Sequence, residues 1–180
     1  MLILQDRLIA MTDLESSGDV FGLHEILEIG LVVFEQKNFE IIDTLNIKVK
    51  PEHIEINVPA ALAKNGYKER EAEWKNAVTL AEATKVYAEK TKDCIFCAYN
   101  ATFDWGFMND AFKVTGIKDT MDYHHLDLMS MALIKYGEKL SSLSMNHVSK
   151  IAGISEESLP HQALNGAMQG YYLYKALMQN

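Results

Sequence analysis

The sequence predicts an α/β fold, with a mixed five-stranded sheet flanked by helices. The chain has 180 residues, of which 48% are hydrophobic and 23% charged, and this suits one compact domain with a sizeable core. Strand-like segments come first, and helices alternate with shorter strands after them. Only three prolines are present, and no repeat or Gly/Ser-rich linker marks a boundary. We therefore expect residues 1–180 to form a single domain.

The predicted elements follow the spacing of apolar residues along the chain. Three apolar runs with short polar connections indicate an antiparallel meander. Asn100 is a candidate cap for the helix that follows the fourth strand, and Gly116 is its predicted end. In chain order, the strands are "RLIAMTDLE", "EILEIGLVVFE", "DTLNIKVK", Ile95–Tyr99 and "HHLDL"; the helices are "VTLAEATKVYAEKTKD", "NATFDWGFMNDAFKVTG", Met129–Tyr136, Ser144–Ala152 and Gln162–Met178.

The last predicted helix carries a stripe of small and apolar residues at helical spacing. This stripe should face the sheet. Its members are Ala163, Gly166, Ala167, Gly170, Leu173, Tyr174 and Leu177.

Charge and composition narrow the function classes. A formal net charge of −8 argues against a protein that holds long duplex nucleic acid by electrostatics alone. The longest apolar run, Ile26–Phe34, contains a charge and is far shorter than a membrane span, so no membrane association is expected. The amino terminus lacks the layout of a signal peptide, and a cytoplasmic location is the expectation.

Cys94 and Cys97 form a CxxC motif that, read alone, could be half of a redox or zinc site. The surrounding run is apolar and strand-like, and residues three apart on a strand face opposite sides. We expect two buried free thiols.

Asp13 and Glu15 lie two residues apart at the end of the first strand. Both carboxylates should point to one face, with Leu14 pointing into the core on the other. Two carboxylates this close repel each other unless a proton or a cation lies between them. A hard divalent ion such as Mg²⁺ or Mn²⁺ would relieve the repulsion. The alternative is a strand end that simply becomes polar on reaching solvent.

Asp104 lies one turn into the helix that follows the fourth strand. Alone, it could be an acid that the helix dipole stabilises. Together with Asp13 and Glu15 it places a third carboxylate at the carboxyl ends of adjacent strands, where open α/β sheets carry their sites.

His161, next to Pro160 at a helix start, is either a solvated surface residue or a general base. The other five histidines show no recurring metal-ligand spacing, and we assign them to the surface or the core.

Taken together, these motifs resemble the DEDDh family of 3′-to-5′ exonucleases, and the order of elements resembles the ribonuclease H-like fold. The family includes proofreading subunits of DNA polymerases, ribonuclease T and oligoribonuclease. Its usual motifs are D-x-E-T-T-G, H-N-x-x-F-D and H-x-A-x-x-D-A. The resemblance covers nearly the whole chain, and the matching segments are "TDLESSG", "ILEIGLVV", "AYNATFDWGFM", "HHLDL", "LSSLSMNHVSKIAGI" and "HQALNGA".

The resemblance implies two-metal hydrolysis of a phosphodiester at a single-stranded 3′ end of DNA or RNA. It assigns the metal ligands Asp13, Glu15 and Asp104 and the general base His161. Several relatives act as dimers or as subunits of larger assemblies, so a homodimer or a larger assembly is also a candidate state. The residues matched to substrate contacts are Ser16, Ser17 and Asn100.

Two positions depart from the family pattern. Gly166, five residues after His161, stands where the family has its fourth metal-binding acid. The missing charge predicts weakened metal binding and a reduced rate. Gln162 and Gln169 share the helical face of Gly166 and could supply uncharged oxygen ligands. Tyr99 replaces the common histidine before Asn100, which is a milder change.

Gly166 also has structural readings. Together with Gly170 it forms a small-residue face that would let the helix approach the sheet closely. Natural loss of function or a deliberate substitution would leave the same residue.

The alternative function is a module on the same fold that binds strand ends or a partner protein without hydrolysis. A weaker alternative is a structural domain whose acidic cluster is accidental.

Overall fold

The computed structural model describes residues 4–156 and 159–179. Within these ranges the five predicted strands form one mixed sheet in the order β3-β2-β1-β4-β5. The first three strands pair antiparallel, and β4 is parallel to both β1 and β5. The fold class predicted from the sequence is therefore confirmed. The strands are β1 Leu8–Ser16, β2 Ile26–Glu35, β3 Ile41–Lys48, β4 Ile95–Ala98 and β5 His125–Asp127.

Seven α-helices cover the sheet in the described residues, two more than the sequence predicted. The two additional helices, α1 and α2, are short and lie between β3 and α3. Three short 3₁₀ turns occur at Leu4–Asp6, Glu71–Asn76 and Gly137–Lys139. The helices are α1 Pro59–Asn65, α2 Tyr67–Arg70, α3 Leu80–Lys90, α4 Ala101–Thr115, α5 Leu128–Tyr136, α6 Met145–Ile151 and α7 Ala163–Met178.

Capping chemistry sets several helix boundaries. Helix α3 begins later than predicted because Thr79 and Glu82 form a capping box. In α6, Ser144 is the cap and accepts the amide hydrogen of His147, so the helix itself starts one residue after the predicted start. Gly116 ends α4 with φ = 67°, as predicted.

The two largest apolar clusters of the described residues form layers, one on each face of the sheet, and two smaller clusters lie around Leu27 and Phe96. One layer packs α3 and α4 against the sheet, and the other packs α5, α6 and α7. Alternation along β1 sends Leu14 into the first layer and Met11 into the second. Cys94 and Cys97 are free and buried in different layers, as predicted.

Helix α7 lies directly on β1 and β2, and its predicted inward stripe is buried throughout. The contact is close enough that a Cβ added at Gly30 of β2 would come within 2.0 Å of the backbone carbonyl of Ala163. The glycine on β2 thus lets the first turn of α7 rest on the sheet backbone. This contact brings the start of α7, with His161 just before it, to the end of β1.

Candidate active site

A cavity of about 520 Å³ opens at the carboxyl ends of β1 and β4. The carboxylates of Asp13, Glu15 and Asp104 line it together with His161. Residues predicted from three separate segments of the sequence thus meet in one pocket. This is also the edge at which open α/β sheets carry their sites.

Asp13 and Glu15 reach the pocket because they point to the same face of β1. Asp13 is half-buried, whereas Glu15 is only 8% exposed. Across the antiparallel pair with β2, Asp13 stands opposite Gly30 and Glu15 stands opposite Glu28. The absence of a side chain at Gly30 leaves room beside Asp13 for α7, which forms one wall of the site.

Asp104 enters the pocket from the first turn of α4 and is 3% exposed. Its Oδ1 accepts the amide hydrogen of Leu14 at 3.0 Å, which ties α4 to β1 between the other two acids. Burial raises the pKa of Asp104 well above its usual range, and the charge of Glu15 raises it further, against the opposing effect of backbone hydrogen bonds. A cation in the pocket would offset both unfavourable effects.

Asn100 lies at the start of α4, but its side chain does not cap the helix, contrary to the prediction. It adopts a left-handed conformation with φ = 62° and ψ = 57°, and no side-chain cap hydrogen bond forms. Asp127 takes over this role because its Oδ1 accepts the amide hydrogen of Ala101 at 3.1 Å. Asn100 still lines the pocket, so its assignment to substrate binding remains a prediction.

Asp127 is a residue that the sequence reasoning missed. It ends β5 and caps α5, and its carboxylate also accepts amide hydrogens from Met129 at 3.4 Å and Ser130 at 3.1 Å. Although burial opposes ionisation, the hydrogen bonds of Ser130 and the backbone amides hold the pKa of Asp127 below its ordinary value. The signal was present, because an aspartate directly before an apolar periodic run is typical of a helix N-cap.

The two serines after Glu15 occupy different positions. Ser16 lines the pocket, and its hydroxyl donates to the carbonyl of Gly18 at 2.5 Å. Ser17 is fully buried, and its hydroxyl donates to Ile56 O and accepts the amide hydrogen of Glu25. In this conformation Ser17 shapes the loop after β1 rather than facing the pocket, which does not support the predicted contact with substrate.

Tyr99, which stands where the family commonly has histidine, lies on the pocket wall. Its hydroxyl donates to the carbonyl of Leu143 at 2.7 Å. Burial, with a smaller effect of the charge of Asp127, raises the pKa of Tyr99 to about 12. The neutral phenol therefore tethers the segment before α6, which also lines the pocket.

Gly166 lies against Asp13. A Cβ added at Gly166 would be 2.3 Å from Asp13 Oδ2. Of the two glutamines considered as substitutes, Gln162 has an extended backbone at the cap of α7, outside the helix, so the same-face argument does not apply to it. Gln169 lines the pocket, and its amide group donates to Ser149 Oγ at 2.8 Å.

Within residues 4–156 and 159–179, no group of three or more His, Cys, Asp or Glu side chains is arranged as a ready-made metal site. The donor atoms are nonetheless those that a hard cation prefers, because three carboxylates line one pocket. Asp104 is buried there, and burial raises its pKa. An ion would have to draw the carboxylates together. The three residues are thus suited to a divalent ion, and their assignment as ligands remains a prediction.

Most of the chain matches a known protein family. The exonuclease family RNase_T matches residues 11–174 of the chain. The 3′-5′ exonuclease DinG of Staphylococcus aureus (strain USA300) is 34% identical over 112 residues, which is 61% of this chain and 12% of that protein. The chain therefore spans only a small part of the curated relatives that it matches.

Solved structures share the fold. The nuclease domain of 3′hExo, a DEDDh family member bound to rAMP, superposes with a TM-score of 0.76 and 16% identity, covering 94% of this chain and 90% of that one. E. coli exonuclease I in complex with a dT13 oligonucleotide gives a TM-score of 0.75 and 17% identity, covering 92% and 40%. The ribonuclease H-like fold predicted from the sequence is thereby confirmed.

None of the helices in the described parts of the chain combines the length and apolar character needed to cross a membrane. This agrees with the absence of a membrane-length apolar run in the sequence.

Proposed function

Since the chain belongs to the RNase_T exonuclease family, of the DEDDh type predicted from its motifs, we propose that it is a metal-dependent 3′-5′ exonuclease whose activity is limited by Gly166. The proposed substrate is the 3′ end of single-stranded DNA or RNA. The observation that carries the proposal is the meeting of Asp13, Glu15, Asp104 and His161 in one pocket. The proposed location is the cytoplasm.

Asp13, Glu15 and Asp104 would hold Mg²⁺ or Mn²⁺. When bound, such ions supply a hydroxide near neutral pH and stabilise the leaving 3′ oxygen of a phosphodiester. Glu15 and Asp104 are buried, and a low-dielectric environment strengthens their attraction for a cation. The tie between Asp104 and Leu14 fixes the third acid relative to the strand that carries the other two.

His161 is the proposed general base. It lines the pocket just before α7, on the side where Gly166 meets Asp13. An imidazole in this position would take the proton from the attacking water at one ring nitrogen, a role that histidine commonly performs in general-base catalysis.

Gly166 limits the proposed activity because it supplies no anion next to Asp13. The neighbouring amide of Gln169 carries no charge, and its NH₂ group is committed to Ser149. An amide oxygen would therefore restore only part of the missing metal affinity. Binding of the ion, more than binding of the oligonucleotide, should set the rate.

The alternative function is a non-catalytic module that binds nucleic-acid ends or a protein through the same pocket. Two observations favour it. Position 166 lacks the acid, and the described residues contain no preformed group of three metal-binding side chains. A homodimer or larger assembly is compatible with either function.

A digestion assay separates the two functions. A 5′-labelled single-stranded oligonucleotide, as DNA and as RNA, is incubated with Mg²⁺ and separately with Mn²⁺. The proposal predicts a ladder of products shortened from the 3′ end. The ladder should form more slowly with Mg²⁺ than with Mn²⁺, and it should be absent in Asp104→Asn. Retention of the oligonucleotide without products would support the binding module, and an equal rate in Asp104→Asn would indicate a contaminating nuclease and contradict the proposal.

A further inference from the structure

His161 is held through its backbone on both sides. Its amide hydrogen donates to the carbonyl of Lys64 at 3.0 Å, and its own carbonyl accepts from Arg70 Nη1 at 3.4 Å. The preceding residue packs on the same segment, because a Cβ added at Gly66 would lie 2.7 Å from Pro160 Cβ. Residues 64–70, at the end of α1 and in α2, therefore support the segment Pro160–His161, which we call the histidine loop.

Arg70 also connects this support to the strand end that carries the acids. The same Nη1 that reaches His161 donates to the carbonyl of Asn65 at 3.0 Å. The side-chain amide of Asn65 in turn donates to the carbonyl of Ser16 at 3.1 Å. Ser16 directly follows Glu15, so two hydrogen bonds separate Arg70 from the end of β1.

The guanidinium of Arg70 is itself fixed in place. Nε and Nη2 donate to the two carboxylate oxygens of Glu73, each at 2.9 Å, and the side chain is only 12% exposed. Its Cζ lies 5.5 Å from the centre of the Trp74 ring, and Trp74 Nε1 donates to Leu27 O of β2 at 2.8 Å. A planar fork with five donors satisfies this set of partners, whereas a lysine ammonium cannot.

Glu28 adds a further constraint on the guanidinium. Its carboxylate is completely buried opposite Glu15, with Lys48 Nζ at 3.3 Å and Arg70 Nη2 at 3.9 Å, and neither contact has hydrogen-bond geometry. Lys48 also lies 3.3 Å from Glu73. Two cations and two anions thus form a compact ionic cluster, and Arg70 is the member of it that donates to the carbonyl of His161.

We propose that Arg70 is a positioning residue that sets the placement of His161 relative to the acids of β1. The inference rests on the proposed function, in which His161 is the general base. Since a misplacement of about 1 Å can lower a rate by about 100-fold, loss of one anchor on the histidine backbone should affect turnover more than substrate binding.

Three variants test the proposal. Arg70→Gln removes the fork and the charge, and Arg70→Lys keeps the charge without the fork. Lys48→Gln is the matched control because it removes the other cation of the same cluster, whose Nζ contacts Glu28 and Glu73. All measurements are made below the onset of thermal unfolding of each variant.

The first readout needs no activity. The ring Cε1–H signal of His161 is followed by ¹H–¹³C NMR and assigned among the six histidines with His161→Gln. We expect the signal to shift or broaden in both Arg70 variants and to stay in place in Lys48→Gln. An unchanged signal in Arg70→Gln, or an equal shift in Lys48→Gln, overturns the proposal.

The second readout is kinetic. With Mn²⁺ and a single-stranded oligonucleotide, Arg70→Gln should lower kcat at least about tenfold with KM within about twofold, and Lys48→Gln should keep kcat within about threefold. Equal losses in the two variants would mean a structural effect only, and would contradict the proposal. If the unmodified protein hydrolyses nothing, the proposed function fails, while the NMR comparison still decides whether Arg70 positions His161.

Discussion

Gly166 of α7 faces the carboxylate of Asp13, and a Cβ at position 166 would lie 2.3 Å from Asp13 Oδ2. The position that the family resemblance assigns to the fourth acid is thus adjacent to the first acid. The contact is with the end of a short side chain, so a substitution is feasible only if the Asp13 carboxylate rotates away. The same geometry supports the close-packing reading of Gly166, because any side chain there displaces Asp13.

Gly166→Asp should therefore destabilise the metal-free protein and become stabilised by metal. Without an ion, the new carboxylate repels Asp13 and must displace it. With Mn²⁺ or Mg²⁺, an ion that binds only the folded state reverses the loss by mass action. The hydrolysis rate should rise at least about tenfold, equivalent to about 1.4 kcal/mol in the barrier. Thermal melts with and without metal and a 3′-end digestion time course measure both effects.

Gly166→Asn is the matched control, since it introduces nearly the same volume without the charge. It should lose stability through the same displacement of Asp13 and gain little from metal. If Gly166→Asp behaves like Gly166→Asn in both measurements, position 166 is not the missing ligand position.

The sequence predicted those features of the site that depend on regular periodicity. Alternation along β1 placed Asp13 and Glu15 on one face, and the 3.6-residue period placed Gly166 on the inner face of α7. Both placements follow from local backbone geometry. They agree with the burial of Glu15 and of Gly166 in the structure.

What the sequence did not reveal depends on contacts between distant segments. Helices α1 and α2 have seven and four residues, too short to be stable alone, and they are held by tertiary contacts such as those of Asn65 Nδ2 with Ser16 O and of Arg70 Nη1 with His161 O. The link from Asp127 to Ala101 likewise joins residues 26 positions apart. The pattern of a single segment does not reveal contacts between distant segments. The sequence therefore predicts a cap at Asn100, whereas the carboxylate of Asp127 accepts the amide hydrogen at the start of α4.

Asp13→Ala should abolish binding of divalent ions. Asp13 is a proposed metal ligand, and its carboxylate lines the pocket next to Gly166 of α7. Titration calorimetry with Mn²⁺ measures the effect. Asp19→Ala is the control, since Asp19 is an exposed acid on the same pocket wall that is not an assigned ligand. Unchanged affinity in Asp13→Ala, or equal losses in both variants, would contradict the metal site.

Asp127→Ala should lower stability and slow hydrolysis together. It removes the cap of α5 and the acceptor for Ala101, and loss of a cap costs about 1–2 kcal/mol, or roughly 2–8 °C in Tm for a domain of this size. Rate should fall as well because the start of α4 carries Asp104. Asp127→Asn, which keeps one acceptor oxygen, should lose less on both measures. An activity loss in Asp127→Ala without a change in Tm would contradict the capping role.

The low pKa of Asp127 also predicts a pH dependence. Because its folded pKa lies below its unfolded value, the stabilisation is fully present above the ordinary aspartate range and is lost as pH falls through the folded pKa. The difference in Tm between the unmodified protein and Asp127→Ala should therefore shrink on acidification below about pH 4. A difference that stays constant down to pH 2 would mean that the carboxylate charge contributes nothing.

Asp104→Asn should stabilise the metal-free protein at neutral pH while it abolishes hydrolysis. Burial raises the folded pKa of Asp104 above its ordinary value of 3.8, so the folded state favours the protonated acid. Stability from this group is fully present below pH 3.8 and is lost as pH rises through the raised folded pKa.

Asparagine at position 104 keeps an oxygen to accept the amide hydrogen of Leu14 but carries no charge to bury. We expect a higher Tm at pH 7, a gain that disappears near pH 4 and is reversed by saturating Mn²⁺, which stabilises only the protein that retains the ligand. Asp110→Asn on the same helix α4 is the control and should show none of these effects. If Asp104→Asn melts lower than the unmodified protein at pH 7 without metal, Asp104 is held by its hydrogen bonds and is not a strained acid that a cation would relieve.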